Sequence, residues 1–199
     1  IHRSSLAALA TSLLLLILLF GFSYFLQKQQ LNTDTQQIAK HVQDMKQANH
    51  ELLETMNKKM VPEFLEGKHT DRELFSLFYE TKAQLKLSSD FVILDDTGEL
   101  LFSTNRNHKE TILTPYYLKL LIQNPTQGSV SEKVALSVDK QHYAVFIMPI
   151  VHNQRVRAYS ISFVNENDFV SSIPLISSKY VITDTFGNIY SSNTNQFTQ

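Results

Sequence analysis

The chain has 199 residues with 18 lysines or arginines and 19 aspartates or glutamates, so its formal net charge is −1. This balance provides no basic stripe for nucleic acid, and the absence of cysteine excludes disulfides, thiolate metal sites and a cysteine nucleophile. The closest two of the five glycines, Gly98 and Gly128, are 30 residues apart, which excludes glycine-rich phosphate loops.

Residues 6–26 form an uncharged apolar segment that reads LAALATSLLLLILLFGFSYFL. As a helix this segment would span roughly 31 Å, about the thickness of a bilayer core. A secretory signal peptide is the main alternative, but its apolar core is shorter and ends in a small-residue cleavage site. Here the apolar run continues to Leu26 and is followed by the polar residues 27–30. We therefore expect an uncleaved transmembrane helix that contacts membrane lipid.

The charges that flank this segment give a weak orientation signal, since His2 and Arg3 precede it and Lys28 follows it. We expect residues 1–5 to be a cytoplasmic stub and residues 27–199 to be extracellular. The fragment would then cross the plasma membrane once.

Residues 27–66 are predicted to continue outward as a stalk helix. An apolar residue recurs every seventh position, at Leu31, Ile38, Met45 and Leu52. Two interpretations are open: the helix packs on its own domain, or it forms a parallel homodimer in which Asn49 fixes the register. Pro62 is expected to break or kink the helix, and Gly67 to end the region.

A second helix is predicted to begin at Thr70, because Thr70 and Glu73 have the spacing of a capping box. Its apolar residues follow one face, so this helix should cover a sheet. These residues are Leu74, Leu77, Phe78, Thr81 and Leu85.

Beyond residue 88, runs of β-branched and aromatic residues predict strands. The runs are FVIL (91–94), LLFS (100–103), VALSV (134–138), YAVFIMPIV (143–151) and VRAYSISFV (156–164). Polar turns at 139–141 and 152–155 make the last three strands an antiparallel meander, and a short helix is predicted at roughly 115–123, opened by Pro115. The predicted fold class is α+β.

The most informative feature is a repeat at an offset of 89 residues. Residues 90–98 read DFVILDDTG and residues 179–187 read KYVITDTFG. An aspartate that ends a strand can accept a hydrogen bond from the backbone two residues on, and the glycine three positions later tolerates positive φ. Each copy therefore predicts a tight hairpin. Together they predict tandem sheet modules, one over residues 67–173 and the start of another over residues 174–199.

This order of elements resembles the extracellular sensor regions called double Cache domains, which have a PAS-like fold. Three pieces carry the resemblance: FVILDDTGELLFS, YAVFIMPIVHNQRVRAYSIS and YVITDTFGNIYSSN. In that family a long N-terminal helix leads to a membrane-distal module and then to a membrane-proximal one. The resemblance covers about residues 31–199 and implies that the second module is incomplete.

The sequence contains no catalytic constellation. No two of its seven histidines have the i, i+4 spacing of a helical zinc motif, and no G-x-S-x-G elbow occurs. The acidic pairs Asp95-Asp96 and Glu166/Asp168 are better explained by turns than by acid–base chemistry. We expect no metal or cofactor, and any enzymatic activity would belong to an output domain.

The resemblance implies a ligand pocket between the sheet and the helix–loop section that follows the first hairpin. By that resemblance the pocket would take Arg106, Tyr116 and Tyr117 from the loop and helix, and Tyr143, Arg157 and Tyr159 from the meander strands. From the residue pattern alone, the alternative is that the tyrosines pack in the core and that the arginines lie on the surface. The amino-acid-binding subgroup of the family has a tryptophan in its pocket, and this chain has none. The sequence therefore leaves open whether the signal is a small molecule or a protein.

These features predict the sensing region of a bacterial transmembrane receptor, with a two-component sensor histidine kinase as the preferred output. A diguanylate cyclase, a membrane-bound transcription regulator and a chemoreceptor share the same front end. A membrane-anchored surface adhesion protein is an alternative from another class, and a cleaved, secreted domain is a third.

Overall fold

The computed structural model describes residues 2–105, 130–136, 142–173, 176, 178–184 and 187–194. The contacts divide the chain into two units, residues 1–41 with 174–178 and residues 42–173 with 179–199. The fold class is α+β as predicted, because a long helix precedes an antiparallel five-stranded sheet and a separate two-stranded sheet.

The helices of the described residues are α1 (His2–Lys59), α2 (Val61–Leu65), α3 (Asp71–Leu85) and α4 (Glu166–Ser172). The predicted stalk helix is thus interrupted at Met60 rather than continuous to residue 66. Pro62 lies in the first turn of α2, where its missing N–H is not needed. Gly67 follows with a φ of 75°, so the region ends there as predicted.

In the first unit, the apolar part of α1 exposes its side chains on all sides. The large hydrophobic residues from Leu13 to Leu26 are 47–73% exposed. Within the described residues, one helix is long and apolar enough to cross a membrane, and this segment supplies its apolar window. A run of exposed apolar side chains this long is unfavourable in water, whereas a helix satisfies its own backbone in lipid.

Within the first unit, the buried carboxylate of Asp34 on α1 holds Ser178, which precedes the two-stranded sheet in the sequence. Asp34 is 2% exposed and accepts hydrogen bonds from the backbone N–H of Ser178 (3.0 Å) and from its hydroxyl (2.5 Å). Gln30, one turn earlier on α1, donates to the other oxygen of Asp34 at 2.7 Å. These bonds join residues that are 144 positions apart.

The strands are β1 (Asp90–Asp95), β2 (Leu100–Ser103), β3 (Ser131–Leu136), β4 (His142–His152), β5 (Arg155–Asn165), β6 (Val181–Thr183) and β7 (Ile189–Ser192). The large sheet has the order β2-β1-β5-β4-β3, and the small sheet pairs β6 with β7. The predicted meander β3-β4-β5 is confirmed. Its last turn places Asn153 and Gln154 at positive φ, as a two-residue hairpin requires. The predicted turn at 139–141 and helix at 115–123 lie outside the described residues.

The main core lies between one face of the large sheet and the helices. Leu52, Leu53 and Met56 of α1 are fully buried there, with residues of α3 and of the sheet. Val42 and Met45 also pack against this core. Of the two interpretations of the seven-residue repeat, packing within its own domain therefore holds for residues 42–56.

Asn49 is satisfied inside this core. Both Asn49 and Ser162 of β5 are fully buried, and the Ser162 hydroxyl donates to Asn49 Oδ1 at 2.6 Å. The Asn49 side-chain amide donates to the carbonyl of Met45 at 2.8 Å. A buried polar pair of this kind defines one axial position of the helix on the sheet, because any slip leaves Asn49 Oδ1 and the Ser162 hydroxyl without each other.

The capping box of α3 is confirmed. The backbone N–H of Glu73 donates to the Thr70 hydroxyl, and the Glu73 carboxylate accepts from the Thr70 N–H at 2.8 Å. Leu74, Phe78 and Thr81 are buried, so the predicted apolar face does cover the sheet.

The two copies of the repeat form hairpins with the same hydrogen bonds. The N–H of Asp95 donates to the carbonyl of Glu99 at 2.9 Å, and the N–H of Asp184 donates to that of Asn188 at 3.0 Å. In each turn the glycine N–H donates back to the aspartate carbonyl at 3.2 Å. Gly98 and Gly187 have φ of 90° and 85°, and both ladders shift register at equivalent positions.

We expect Asn49→Ala to destabilise the module by about 2 kcal/mol, because it leaves the Ser162 hydroxyl buried without an acceptor. The double variant Asn49→Ala, Ser162→Ala should cost about 1 kcal/mol less than the sum of the single changes. Urea unfolding of the chain in detergent micelles, followed by tyrosine fluorescence, measures these differences.

Ser160→Ala is the matched control, since Ser160 is also buried on β5 but donates to the Met148 carbonyl at 3.3 Å. In a double variant, the losses of unfolding free energy from Ser160→Ala and Asn49→Ala should be additive. Additive costs for the Asn49–Ser162 pair would contradict the predicted coupling.

The Asp95 carboxylate predicts a pH dependence of the first hairpin. Burial opposes its ionisation, but hydrogen bonds from Thr97, Glu99 and Gly98 outweigh burial and lower its pKa. A group with a lowered pKa stabilises the fold above its ordinary pKa, and this stability is lost as the pH falls.

We therefore expect Asp95→Asn to cost about 1 kcal/mol near neutral pH, reduced from the buried value because the group is partly exposed. The difference from the unaltered chain should begin to shrink below about pH 4, the ordinary range of the carboxyl, and should disappear once the pH has fallen through the lowered pKa of Asp95. Urea unfolding at both pH values tests this. Asp96→Asn, at the exposed neighbour, should change stability by less than about 0.5 kcal/mol; a pH-independent loss for Asp95→Asn would count against the prediction.

Candidate functional site

The face of the large sheet that lies opposite α1 and α3 carries a second cluster of buried residues. All members come from the sheet itself: Val92, Leu94, Tyr143, Val145, Ile147, Tyr159, Ile161 and Phe163. We call this cluster the tyrosine face. The alternation of the strands produces it, since every second residue of β4 and β5 points to this side.

The structure places both predicted meander tyrosines on this face. Tyr143 is 9% exposed and its ring meets Phe163 edge-on at 6.5 Å, while Tyr159 is 7% exposed. The two tyrosines do not converge, however. Tyr143 pairs with Asn165 of β5, six residues along that strand from Tyr159, which is roughly 20 Å. A single small ligand can therefore contact one of these tyrosines but not both.

The Tyr159 end of the face has polar groups close by. Burial raises the pKa of the Tyr159 hydroxyl, and the nearby Asp96 carboxylate raises it further. The hydroxyl is therefore neutral at physiological pH and is able to donate or accept a hydrogen bond. Arg157, two residues earlier on β5, lies beside an irregularity in the β4–β5 ladder and is exposed.

The other three predicted ligand contacts, Arg106, Tyr116 and Tyr117, lie outside the described residues. Of the six predicted ligand contacts, the structure thus describes Tyr143, Tyr159 and Arg157.

A groove of about 800 Å³ lies between α3 and the edge strand β2. Its helix side is formed by Arg72, Phe75 and Tyr79, and its strand side by residues 100–105. Tyr79 is 48% exposed and Leu101 is 42% exposed. The groove has a volume that suits a small ligand. Sequence reasoning missed it because Phe75 and Tyr79 lie beside the predicted apolar face of α3 rather than on it.

Several histidine–glutamate pairs join different elements of the second unit. His50 of α1 lies 3.3 Å from Glu132 of β3, which also pairs with Lys46 at 2.5 Å. His142 of β4 lies 3.0 Å from Glu166 of α4. None of these pairs extends into a group of three or more side chains that could hold a metal ion, within the ranges that the structure describes.

No family model matches the chain, and no curated protein matches its sequence. Solved structures do match. The ligand-binding domain of the Campylobacter jejuni chemoreceptor Tlp3 in complex with 4-methylisoleucine is 12% identical, with a TM-score of 0.52 over 83% of this chain and 68% of that chain. The sensor domain of the V. cholerae histidine kinase DctB is 15% identical, with a TM-score of 0.51 over 84% and 66%.

The sensory domain of Tlp3 with isoleucine bound is also similar in structure, at 12% identity and a TM-score of 0.52 over 83% of this chain and 69% of that chain. This chain therefore spans about two thirds of the length of these sensor domains. At such identities the likeness shows the fold, which is that of the sensor domains of chemoreceptors and histidine kinases. The α+β, PAS-like fold class that the resemblance implied is confirmed.

Proposed function

We propose that the chain is the signal-sensing region of a transmembrane receptor. One observation carries the proposal: helix α1 contains both an exposed apolar segment long enough to span a bilayer and, from residue 42 to residue 56, the residues that pack on a sheet with a sensor-domain fold. A receptor needs a continuous connection between its membrane anchor and its sensor module. One helix that belongs to both can pass a change in the module toward the membrane.

The proposed topology has residues 1–5 in the cytoplasm, residues 6–26 in lipid and residues 27–199 outside. The membrane-distal module would cover residues 67–173, completed by the helical residues from 42 onward, and residues 174–199 would begin a second module. The duplicated hairpin bonds support this division, because they form in two separate sheets.

The proposed signal is a small molecule that binds at the Tyr159 end of the tyrosine face. Apolar side chains line this end, and it offers one neutral phenol near a carboxylate, so a compact, largely apolar molecule with a few polar groups fits its chemistry. The similar Tlp3 domain binds isoleucine and 4-methylisoleucine, which combine a branched apolar side chain with a charged ammonium and carboxylate group.

The proposed output is a histidine kinase, as in the protein that carries the similar DctB sensor domain. A chemoreceptor is the alternative that the Tlp3 likeness supports. A homodimer contact is proposed only for the N-terminal part of the seven-residue repeat, which begins at Leu31. Leu31 is 51% exposed and available, whereas Met45 and Leu52 are already packed in the module core.

The proposed topology predicts which positions are reachable from outside an intact cell. Since the chain has no cysteine, single cysteines report on their own positions. A membrane-impermeant maleimide should label Ala83→Cys, at an exposed position of α3, without permeabilisation. Ser4→Cys should react only after permeabilisation. The opposite pattern would reverse the orientation, and a labelled chain in the medium would contradict the anchor.

The proposed ligand site predicts a tyrosine-specific loss of affinity. The chain in lipid nanodiscs is screened by thermal shift against branched-chain amino acids, dicarboxylates and aromatic amines. A binding compound at 100 times its Kd should stabilise the chain by about 2.7 kcal/mol. Tyr159→Phe should then weaken binding roughly 5- to 10-fold, the cost of about one hydrogen bond.

Tyr79→Phe is the control, because Tyr79 lines the α3–β2 groove and should leave affinity unchanged. A loss of binding confined to Tyr79→Phe would move the site to that groove. If no compound in the panel stabilises the chain, the small-molecule proposal fails, but the receptor topology stands on the labelling experiment.

A further inference from the structure

His69 lies between two glutamates at the point where α2 leads into α3. Its Nε2 is 2.8 Å from Glu63 Oε2 on α2, and its Nδ1 is 3.6 Å from Glu73 Oε2 in the first turn of α3. The imidazole side chain is 25% exposed, whereas the glutamates are 57% and 53% exposed. We call this arrangement the His69 clasp.

The two ring nitrogens face groups that only accept hydrogen bonds. A carboxylate accepts, and a neutral imidazole has one N–H donor and one lone pair. Because the Glu63 carboxylate only accepts, its contact with Nε2 requires the N–H at Nε2, which leaves the lone pair on Nδ1, the nitrogen that lies 3.6 Å from Glu73 Oε2. Nδ1 is buried and has no hydrogen-bond partner among the described residues. The imidazolium, with two donors, satisfies both sides.

A metal ion does not explain this geometry. Each carboxylate faces a different nitrogen of one ring, so Glu63 and Glu73 cannot share an ion bound to a single ring nitrogen. No group of three metal-binding side chains occurs in the described part of the chain. A proton at Nδ1 is the ligand that the arrangement fits.

Charged groups near the clasp act on its carboxylates, and Lys68 interacts with Glu63 itself. Lys68, the adjacent residue, pairs with Glu66 at 2.6 Å, and His152 of the β4–β5 turn acts on the same Glu66. Hydrogen bonds from the backbone N–H and the hydroxyl of Thr70 lower the pKa of Glu73. Glu73 therefore stays ionised in the mildly acidic range in which histidines take up a proton.

We propose that protonation of His69 closes a clasp between α2 and α3 and so makes the sensor module responsive to acidification. Glu73 is also the capping-box residue of α3, and α3 places Leu74 and Phe78 in the main core. Closing the clasp thus ties the start of this helix to α2. The proton would act as a signal in addition to the small molecule proposed above.

The sign of the effect follows from linkage. In the proposed clasp the imidazolium of His69 gains two carboxylate partners that it has only in the folded chain, so stability should be added as the pH falls through the histidine range and lost again as the pH rises.

The experiment compares thermal unfolding midpoints of the full chain in lipid nanodiscs at about pH 8 and about pH 5.5, on either side of the ordinary histidine range. The variants are His69→Gln, Glu63→Gln and the control His152→Gln. On acidification, the midpoint of the unaltered chain should gain about 2 °C relative to both His69→Gln and Glu63→Gln, the size expected for a partly exposed ion pair. His152→Gln should behave like the unaltered chain.

Glu63→Gln separates charge from packing, because its amide oxygen can still accept from Nε2. If His69→Gln and Glu63→Gln lower the midpoint equally at both pH values, the clasp is only a packing contact and the proposal is overturned. The proposal is also overturned if both variants keep the pH dependence of the unaltered chain. Neither outcome involves the small-molecule site, so the two proposals fail separately.

Discussion

Burial of one stripe of α1 against the large sheet is the constraint on which the sensor module depends. Leu52, Leu53 and Met56 are fully buried there, and each such side chain contributes roughly 1.5–3 kcal/mol relative to an exposed position. Apolar contacts alone tolerate sliding of a helix along a sheet. The buried Asn49–Ser162 bond removes that freedom, because a shifted helix leaves two polar groups unsatisfied.

The same strand that receives this bond also forms the tyrosine face. Ser160 and Ser162 of β5 point toward α1, whereas Tyr159, Ile161 and Phe163 point to the opposite side. Because side chains alternate along a strand, a ligand that displaces β5 from one side moves the groups that hold the helix on the other. In the receptor proposed above, β5 is therefore the strand through which a ligand on the tyrosine face would act on this helix.

The features that sequence predicted are those set by nearby residues. The capping box at Thr70 and Glu73, and the turns that end at Gly98 and Gly187, each depend on residues within four positions of one another. The bonds between Asn49 and Ser162 and between Asp34 and Ser178 join residues 113 and 144 positions apart. No local pattern marks such pairs.

The candidate site shows the same limit. The Cache resemblance implied one pocket with both Tyr143 and Tyr159, but strand register decides how far apart they lie on the sheet, and register depends on how β4 and β5 pair. The His69 clasp was missed for a related reason. The sequence places Glu63 and Glu73 six and four residues from His69, but only the turn at Gly67 brings both carboxylates to opposite sides of one ring.

The second hairpin repeats the bonds of the first but buries its residues differently. The first hairpin is continued by pairing of β1 with β5, whereas β6 and β7 pair with each other and attach to the main core through Tyr190. Burial raises the pKa of Tyr190, and its hydroxyl donates to the carbonyls of Val164 and Asn165, at 3.2 and 3.3 Å. Those carbonyls end β5, the strand that lies between the tyrosine face and α1. The two-stranded sheet is marginally stable by itself, so its position depends on this attachment. A movement of β5 would therefore displace the second hairpin as well as α1.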